Sequence, residues 1–153
     1  MKRISQEVET IIKKAKLCFV ATVNPDGSPN LSPKASLDVW DEYHVIFAHI
    51  ESFNTVENIK INPKIAINVV DFFRRKGFCL EGKATLFQQG TPEHDFVGKP
   101  LWENHGSQYL VHCAVKVKVE SVKSLKSPAY KYDEKVTEDT LATYFSNYYN
   151  NEL

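Results

Sequence analysis

The sequence predicts a small, mainly antiparallel β-barrel with peripheral helices, built from six strands in a single domain over residues 1–153. Three observations carry this expectation. Apolar or alternating segments of strand length recur at 17–23, 29–39, 43–50, 64–71, 77–87 and 110–125. Tight turns join the first three, so no crossover helix is available for a parallel βαβ arrangement. The helical stretches between later strands are one or two turns long, which makes them peripheral to the sheet rather than a layer of their own.

Taken in order, Ser5 opens a first helix, because its hydroxyl can cap while Glu7 favours the positive helix end. Val8, Ile11, Ile12 and Ala15 share one face, and Lys13, Lys14 and Lys16 gather at the C-terminal end. The strand at 17–23 ends at Asn24-Pro-Asp-Gly27, whose Pro and Gly suit the second and fourth positions of a type I turn. The return strand, 29–39, alternates. Leu31, Pro33, Ala35, Leu37 and Val39 occupy one face, and Asn30, Ser32, Lys34, Ser36 and Asp38 the other.

Asp41-Glu42 turns the chain into the strand at 43–50. Residues 51–62 form a loop and a short helix, stopped by Pro63. Strands at 64–71 and 77–87 flank the basic link Phe72-Phe-Arg-Arg-Lys76. Thr91-Pro92-Glu93 opens a short helix, with Pro in its tolerated first-turn place, and 98–108 reads as loop. In the strand at 110–125, Val111, Cys113, Val115, Val117 and Val119 fall on one face. A break at Ser127-Pro128 and a polar linker precede a final helix at 137–149.

Composition narrows the function. With 42% hydrophobic and 25% charged residues the chain matches globular averages, which excludes wholesale disorder. Nineteen Lys plus Arg balance nineteen Asp plus Glu, so the basic excess of a dedicated nucleic-acid binder is missing. Cys18, Cys79 and Cys113 are scattered and odd in number, giving neither a disulfide framework nor a metal clip, and a reducing cytoplasm is the expected setting. The longest apolar run, 17–23, falls far short of the ~20 residues a membrane span needs, and no signal-type segment opens the chain.

Two places could hold chemistry. On the polar face of the second strand, Ser32, Lys34 and Ser36 set one ammonium between two hydroxyls, which suits an anionic ligand, although most alternating strands with such a face simply meet solvent. At the helix after the third strand, Asn54 as cap and Glu57 three residues on fit a capping box. Ser52, Asn54 and Thr55 also surround the N–H groups of that helix start, an arrangement that binds phosphate or simply caps the helix. The five histidines show no metal-ligand spacing, and no nucleophile-elbow, P-loop or dinucleotide motif occurs. Arg74-Arg75-Lys76 reads as a solvated turn, and the cysteines as small apolar filler.

Four segments in series carry a resemblance: Phe19-Val-Ala-Thr-Val-Asn-Pro-Asp-Gly-Ser-Pro-Asn-Leu-Ser-Pro-Lys34, Val45-Ile-Phe-Ala48, Ser52-Phe-Asn-Thr-Val-Glu-Asn-Ile-Lys-Ile-Asn-Pro-Lys-Ile-Ala66 and Gly77-Phe-Cys-Leu-Glu-Gly-Lys-Ala84. In order and spacing they resemble the pyridoxamine 5'-phosphate oxidase-like, FMN-binding split-barrel flavoproteins. The resemblance implies a homodimer with two FMN sites at the subunit interface, each built from both chains. It places Ser32, Pro33 and Lys34 along the flavin, the backbone of Phe47 and Ala48 against the isoalloxazine, and Ser52, Asn54, Thr55 and Asn58 around the phosphate.

The resemblance further implies an FMN-dependent oxidoreductase acting on a small molecule. The alternatives are a non-enzymatic ligand-binding split barrel, or one that uses haem or a deazaflavin. Two departures stand out. Asn54 occupies a position where many relatives carry Lys or Arg, which removes one charge partner for the phosphate. The tail at 144–153 has no Arg or Trp, so pyridoxamine phosphate oxidase activity itself is not expected.

Overall fold

Ser5 Oγ accepts the Val8 N–H at 3.3 Å and starts α1 (Gln6–Ala15), which buries Val8, Ile11 and Ile12 and ends at Lys16 in the left-handed region, φ 54°. The computed structural model describes residues 1–152. Beyond α1 the chain runs through β1 (Cys18–Val23), β2 (Pro29–Lys34), β3 (Asp38–Asp41), β4 (His44–His49), α2 (Phe53–Ile61), β5 (Lys64–Asp71) and β6 (Lys76–Phe87). It ends with α3 (Pro92–His105), β7 (Cys113–Lys126), α4 (Ala129–Tyr132) and α5 (Glu138–Glu152).

All strands join one antiparallel sheet in the order β2-β1-β5-β6-β7-β4-β3. The expected count of six becomes seven because the segment at 29–39 is two strands. Residues 29–34 pair with β1, and residues 38–41 pair with β4 at the opposite edge. Alternation persists across the break, so the pattern alone could not show the change of partner. Only three residues separate Lys34 from Asp38, which holds the two sheet edges within about 14 Å of each other. The sheet therefore rolls into a barrel whose seam is crossed by chain rather than closed by a ladder. Ser36 Oγ pins the crossing by accepting the Ala48 N–H at 3.0 Å.

The interior is filled by residues such as Phe47, Ile67, Leu80, Val20, Val115 and Val117, each worth about 1.5–3 kcal/mol of burial. α1 lies over β3 and β5 and brings Val8, Ile11 and Ile12 into that core. Between Glu81 and Gly82 the β6–β7 register slips, and a Cβ on Gly82 would sit 2.0 Å from the Lys118 carbonyl oxygen. The close approach of the two strands requires glycine there.

A second correction concerns the stretch at 98–108, expected as loop. α3 continues through Gly98 and Pro100 to His105. Val97, Leu101 and Trp102 bury against Ile46, Ala48, Val111 and Ala114, and this packing outweighs the local cost of Gly and Pro. The Trp102 ring lies across Gly98, where a Cβ would meet it at 2.4 Å. Asn104 Nδ2 donates to the Pro100 carbonyl at 2.8 Å. The last strand correspondingly begins at Cys113 rather than 110, and the polar linker contains the single-turn α4.

The faces of β2 are the least conventional feature of the barrel. Asn30, Ser32 and Lys34 turn inward and are half-buried, while Leu31 faces out, 66% exposed. Across the ladder the same outer face carries Phe19 opposite Pro33 and Val23 opposite Pro29, at 44% and 42% exposure for the two β1 residues. An apolar exterior over a polar interior is the reverse of a solvated hairpin.

Candidate functional site

Inward-facing Lys34 borders a cavity of about 690 Å³. Ser32, Pro33, Lys34 and Ser36 form one wall, Ala48 and Ile50 the back, and Phe96, Leu101 and His105 of α3 the other side. The strand residues reach the cavity because β2 points its polar face inward. The helix residues reach it because α3 runs longer than the sequence suggests. Their spacing, Phe96, Val97, Pro100, Leu101, Asn104 and His105, is that of one helical stripe, a signal masked by Gly98 and Pro100.

Lys34 Nζ donates to Ser32 Oγ at 2.7 Å and to the Pro33 carbonyl at 3.2 Å. Among the described residues its ammonium forms no ion pair. Burial lowers its pKa from the ordinary lysine value, which is the signature of a cation short of compensation. Cys18 is the direct ladder partner of Lys34, but burial pushes its thiol up to about 12, so it stays neutral and supplies no counter-charge. An anion in the cavity would restore the balance. With its oxygen accepting from Lys34, Ser32 keeps a hydroxyl proton to donate.

The start of α2 lies outside the cavity lining. Its N-cap is Ser52, not Asn54, and no side chain caps its first N–H groups. The expected capping box does not form, since Glu57 instead accepts from Lys60 at 2.6 Å. Asn54 is exposed at the first turn. Thr55 and Asn58 are buried. Thr55 Oγ1 accepts from Asn30 Nδ2 at 3.1 Å, and Asn58 Nδ2 donates to Thr22 Oγ1 at 3.1 Å and to Asn24 Oδ1 at 2.9 Å. This network ties α2 to the β1–β2 hairpin and fixes the helix start relative to Lys34.

Phe47 and Ala48 diverge. Ala48 lines the cavity, and Phe47 points the other way into the core at 0% exposure. Phe47→Ala is expected to cost about 3–5 kcal/mol of unfolding free energy, read as a shift in the urea midpoint. A shift under about 1 kcal/mol would place its ring outside the core.

Sequence reasoning missed a ring cluster beside Ser52. His49 is buried at the end of β4, with the His112 ring 5.1 Å away and Phe53 5.0 Å and 5.3 Å from the two imidazoles. A lone histidine in an apolar strand gives no pattern to find. Among the described residues no cluster of three or more His, Cys, Asp or Glu could hold a metal ion, and no helix is long and apolar enough to cross a membrane.

Comparison with known proteins matches this frame. The family model for pyridoxamine 5'-phosphate oxidase matches residues 4–147. The crystal structure of HupZ from Group A Streptococcus is 30% identical, superposes with a TM-score of 0.70 and covers 81% of this chain and 95% of its own. An FMN-binding protein from Syntrophomonas wolfei shares the fold at 15% identity, TM-score 0.70, with 80% and 86% of the two chains covered. HutZ, the heme storage protein from Vibrio cholerae, does so at 20% identity, TM-score 0.59, over 81% and 96%. No curated protein sequence matches the chain.

Proposed function

We propose that this chain, which belongs to the pyridoxamine 5'-phosphate oxidase family, is an FMN-binding homodimer that works as an FMN-dependent oxidoreductase on a small molecule. The observation that carries the reading is Lys34, a half-buried cation with no carboxylate partner among the described residues, set at the wall of a cavity of about 690 Å³. That volume lies within the range of small-molecule and cofactor sites. FMN brings a phosphate of nearly two negative charges and a flat ring system, and when bound it supplies reversible hydride transfer.

The protein's part is to bind, orient and shield. Lys34 faces negative charge on the ring or ribityl phosphate, and Ser32 offers its hydroxyl proton beside it. Ala48 would give the ring an apolar contact, the Pro33 carbonyl would border it beside Lys34 Nζ, and Phe96 and Leu101 would exclude water from the opposite side. The α2 start, with Ser52, Asn54 and Thr55, presents backbone N–H groups to the phosphate. Asn58 positions that helix through Thr22 and Asn24. The second copy is supported by the exposed apolar face of Phe19, Val23 and Leu31, which marks an interaction surface rather than a solvated one.

A second reading, haem in the same cavity, has one observation in its favour: His105 lines the wall and could hold the iron of a bound haem. Titration of the protein with FMN and, separately, with haem distinguishes the two. Saturable quenching of flavin fluorescence is the expected result. No quenching by FMN together with a saturable shift of the haem absorbance would assign the cavity to haem.

A further inference from the structure

His49 closes β4 with 3% of its surface exposed. The Ser52 backbone N–H donates to its Nδ1 at 3.3 Å, and Ser52 Oγ lies 3.1 Å from the same nitrogen. A ring nitrogen that accepts a backbone N–H must present a lone pair, so His49 is neutral, with its proton on Nε2. Ser52 is the N-cap of α2, yet its hydroxyl caps no helix N–H. Both of its donors are turned to the imidazole instead.

The surroundings of this pair are electropositive. His112, preceding β7, lies beside the ring, Lys34 of β2 and Lys60 of α2 act on it, and Glu51 in the connecting loop is the one opposing charge among the groups that shift it. Phe53 closes over both imidazoles and is itself half exposed. Burial, His112 and the lysines together hold the His49 pKa below its ordinary value of 6.5. Extra positive charge is therefore costly at this site until an anion arrives.

We propose that His49 couples phosphate binding at the α2 start to uptake of one proton: neutral His49 holds the two Ser52 donors, and protonated His49 releases them to the ligand. This rests on the FMN reading above and adds the positioning residue and the proton. No bond between heavy atoms changes, and solvent supplies the proton. The incoming proton sits on Nδ1 and donates to Ser52 Oγ, whose own hydroxyl hydrogen then turns to a phosphate oxygen. The Ser52 N–H no longer faces a lone pair and joins the uncapped N–H groups of the first turn. The phosphate charge offsets Lys34 and the imidazolium, Lys60 being already paired with Glu57 at 2.6 Å, which raises the His49 pKa in the complex.

The sign follows directly. Because the protonated form binds better, FMN affinity rises as pH falls, between the His49 pKa with FMN bound and its lower pKa, below 6.5, without FMN. The gain reaches at most about tenfold per pH unit, the limit for one proton. FMN phosphate titrates near ~6 on its own, so controls must separate it. Riboflavin has no phosphate. His49→Asn places an amide oxygen where Nδ1 stands, accepts the same N–H and cannot titrate.

Calorimetry of FMN and riboflavin binding, run in buffers of different ionisation enthalpy at about pH 6.5, counts the protons. Expected is an uptake by wild type on binding FMN that exceeds that of His49→Asn by up to about one proton, and no uptake with riboflavin. Should His49→Asn not fold, the His49 ring is followed by NMR in wild type, and its pKa must rise with FMN and stay in place with riboflavin. Equal proton counts for wild type and His49→Asn, or for FMN and riboflavin, or a His49 pKa that FMN leaves unmoved, would overturn the coupling while leaving FMN binding intact. Failure of wild type to bind FMN at all would overturn the FMN reading and the coupling with it.

Discussion

Leu31→Asp is expected to convert the proposed dimer to a monomer of 17.5 kDa by light scattering, with its fold intact. Leu31 is 66% exposed and lies opposite Ala21, between the Phe19–Pro33 and Val23–Pro29 pairs. On a solvated surface such a change stays within about 0.5 kcal/mol of neutral, so the circular dichroism spectrum and melting temperature should hold. In a symmetric interface the same aspartate is buried in both copies, and each unpaired charge costs several kcal/mol. FMN affinity should fall with the dimer if, as proposed, the site draws on both copies. An unchanged mass would show that the β1–β2 face meets something other than a second copy.

Lys34→Ala is expected to weaken FMN binding by about 1.5–3 kcal/mol, roughly ten- to hundredfold in Kd, the range for a hydrogen bond to a charged group. The effect should be large because Asn54 is neutral and Lys34, half-buried beside Ser32 and Pro33, carries no ion pair among the described residues, although Lys16 also borders the cavity. Stability should rise slightly or stay level, because a half-buried ammonium without an ion-pair partner among the described residues is costly to the fold. That opposition, weaker binding without lost stability, separates a ligand contact from a structural one. Binding equal to wild type in an intact dimer would make Lys34 a solvated strand residue.

Much of the barrel was legible because period-two alternation and turn chemistry are local properties. Asn24-Pro-Asp-Gly27 marks its turn, and β5 fills its expected span. Legibility failed where the decisive interaction is long-range. The switch from β1 to β4 as pairing partner between Lys34 and Asp38 leaves no trace in the alternation. α3 persists through Gly98 and Pro100 because Val97, Leu101 and Trp102 find a core that local propensity does not register. The direction of the β2 faces was left open by the sequence, since a polar strand face looks alike whether it meets water or a cavity. Lys34 was legible as an anion partner by charge alone, but its lack of an ion pair among the described residues emerges only from the three-dimensional arrangement. The α2 start was legible within two residues. Ser52 rather than Asn54 took the cap position, and Thr55 and Asn58 proved to be committed to Asn30, Thr22 and Asn24. His49 was not legible at all, because its role depends on a turn that brings Ser52 back to its ring.

Native mass spectrometry of the protein with added FMN tests the proposed shared site most directly. The expected spectrum shows a dimer at twice the 17.5 kDa chain mass carrying up to two FMN, beside a monomer that carries none. Monomers loaded with FMN in the same proportion as dimers, or dimers that take up no FMN, would contradict it.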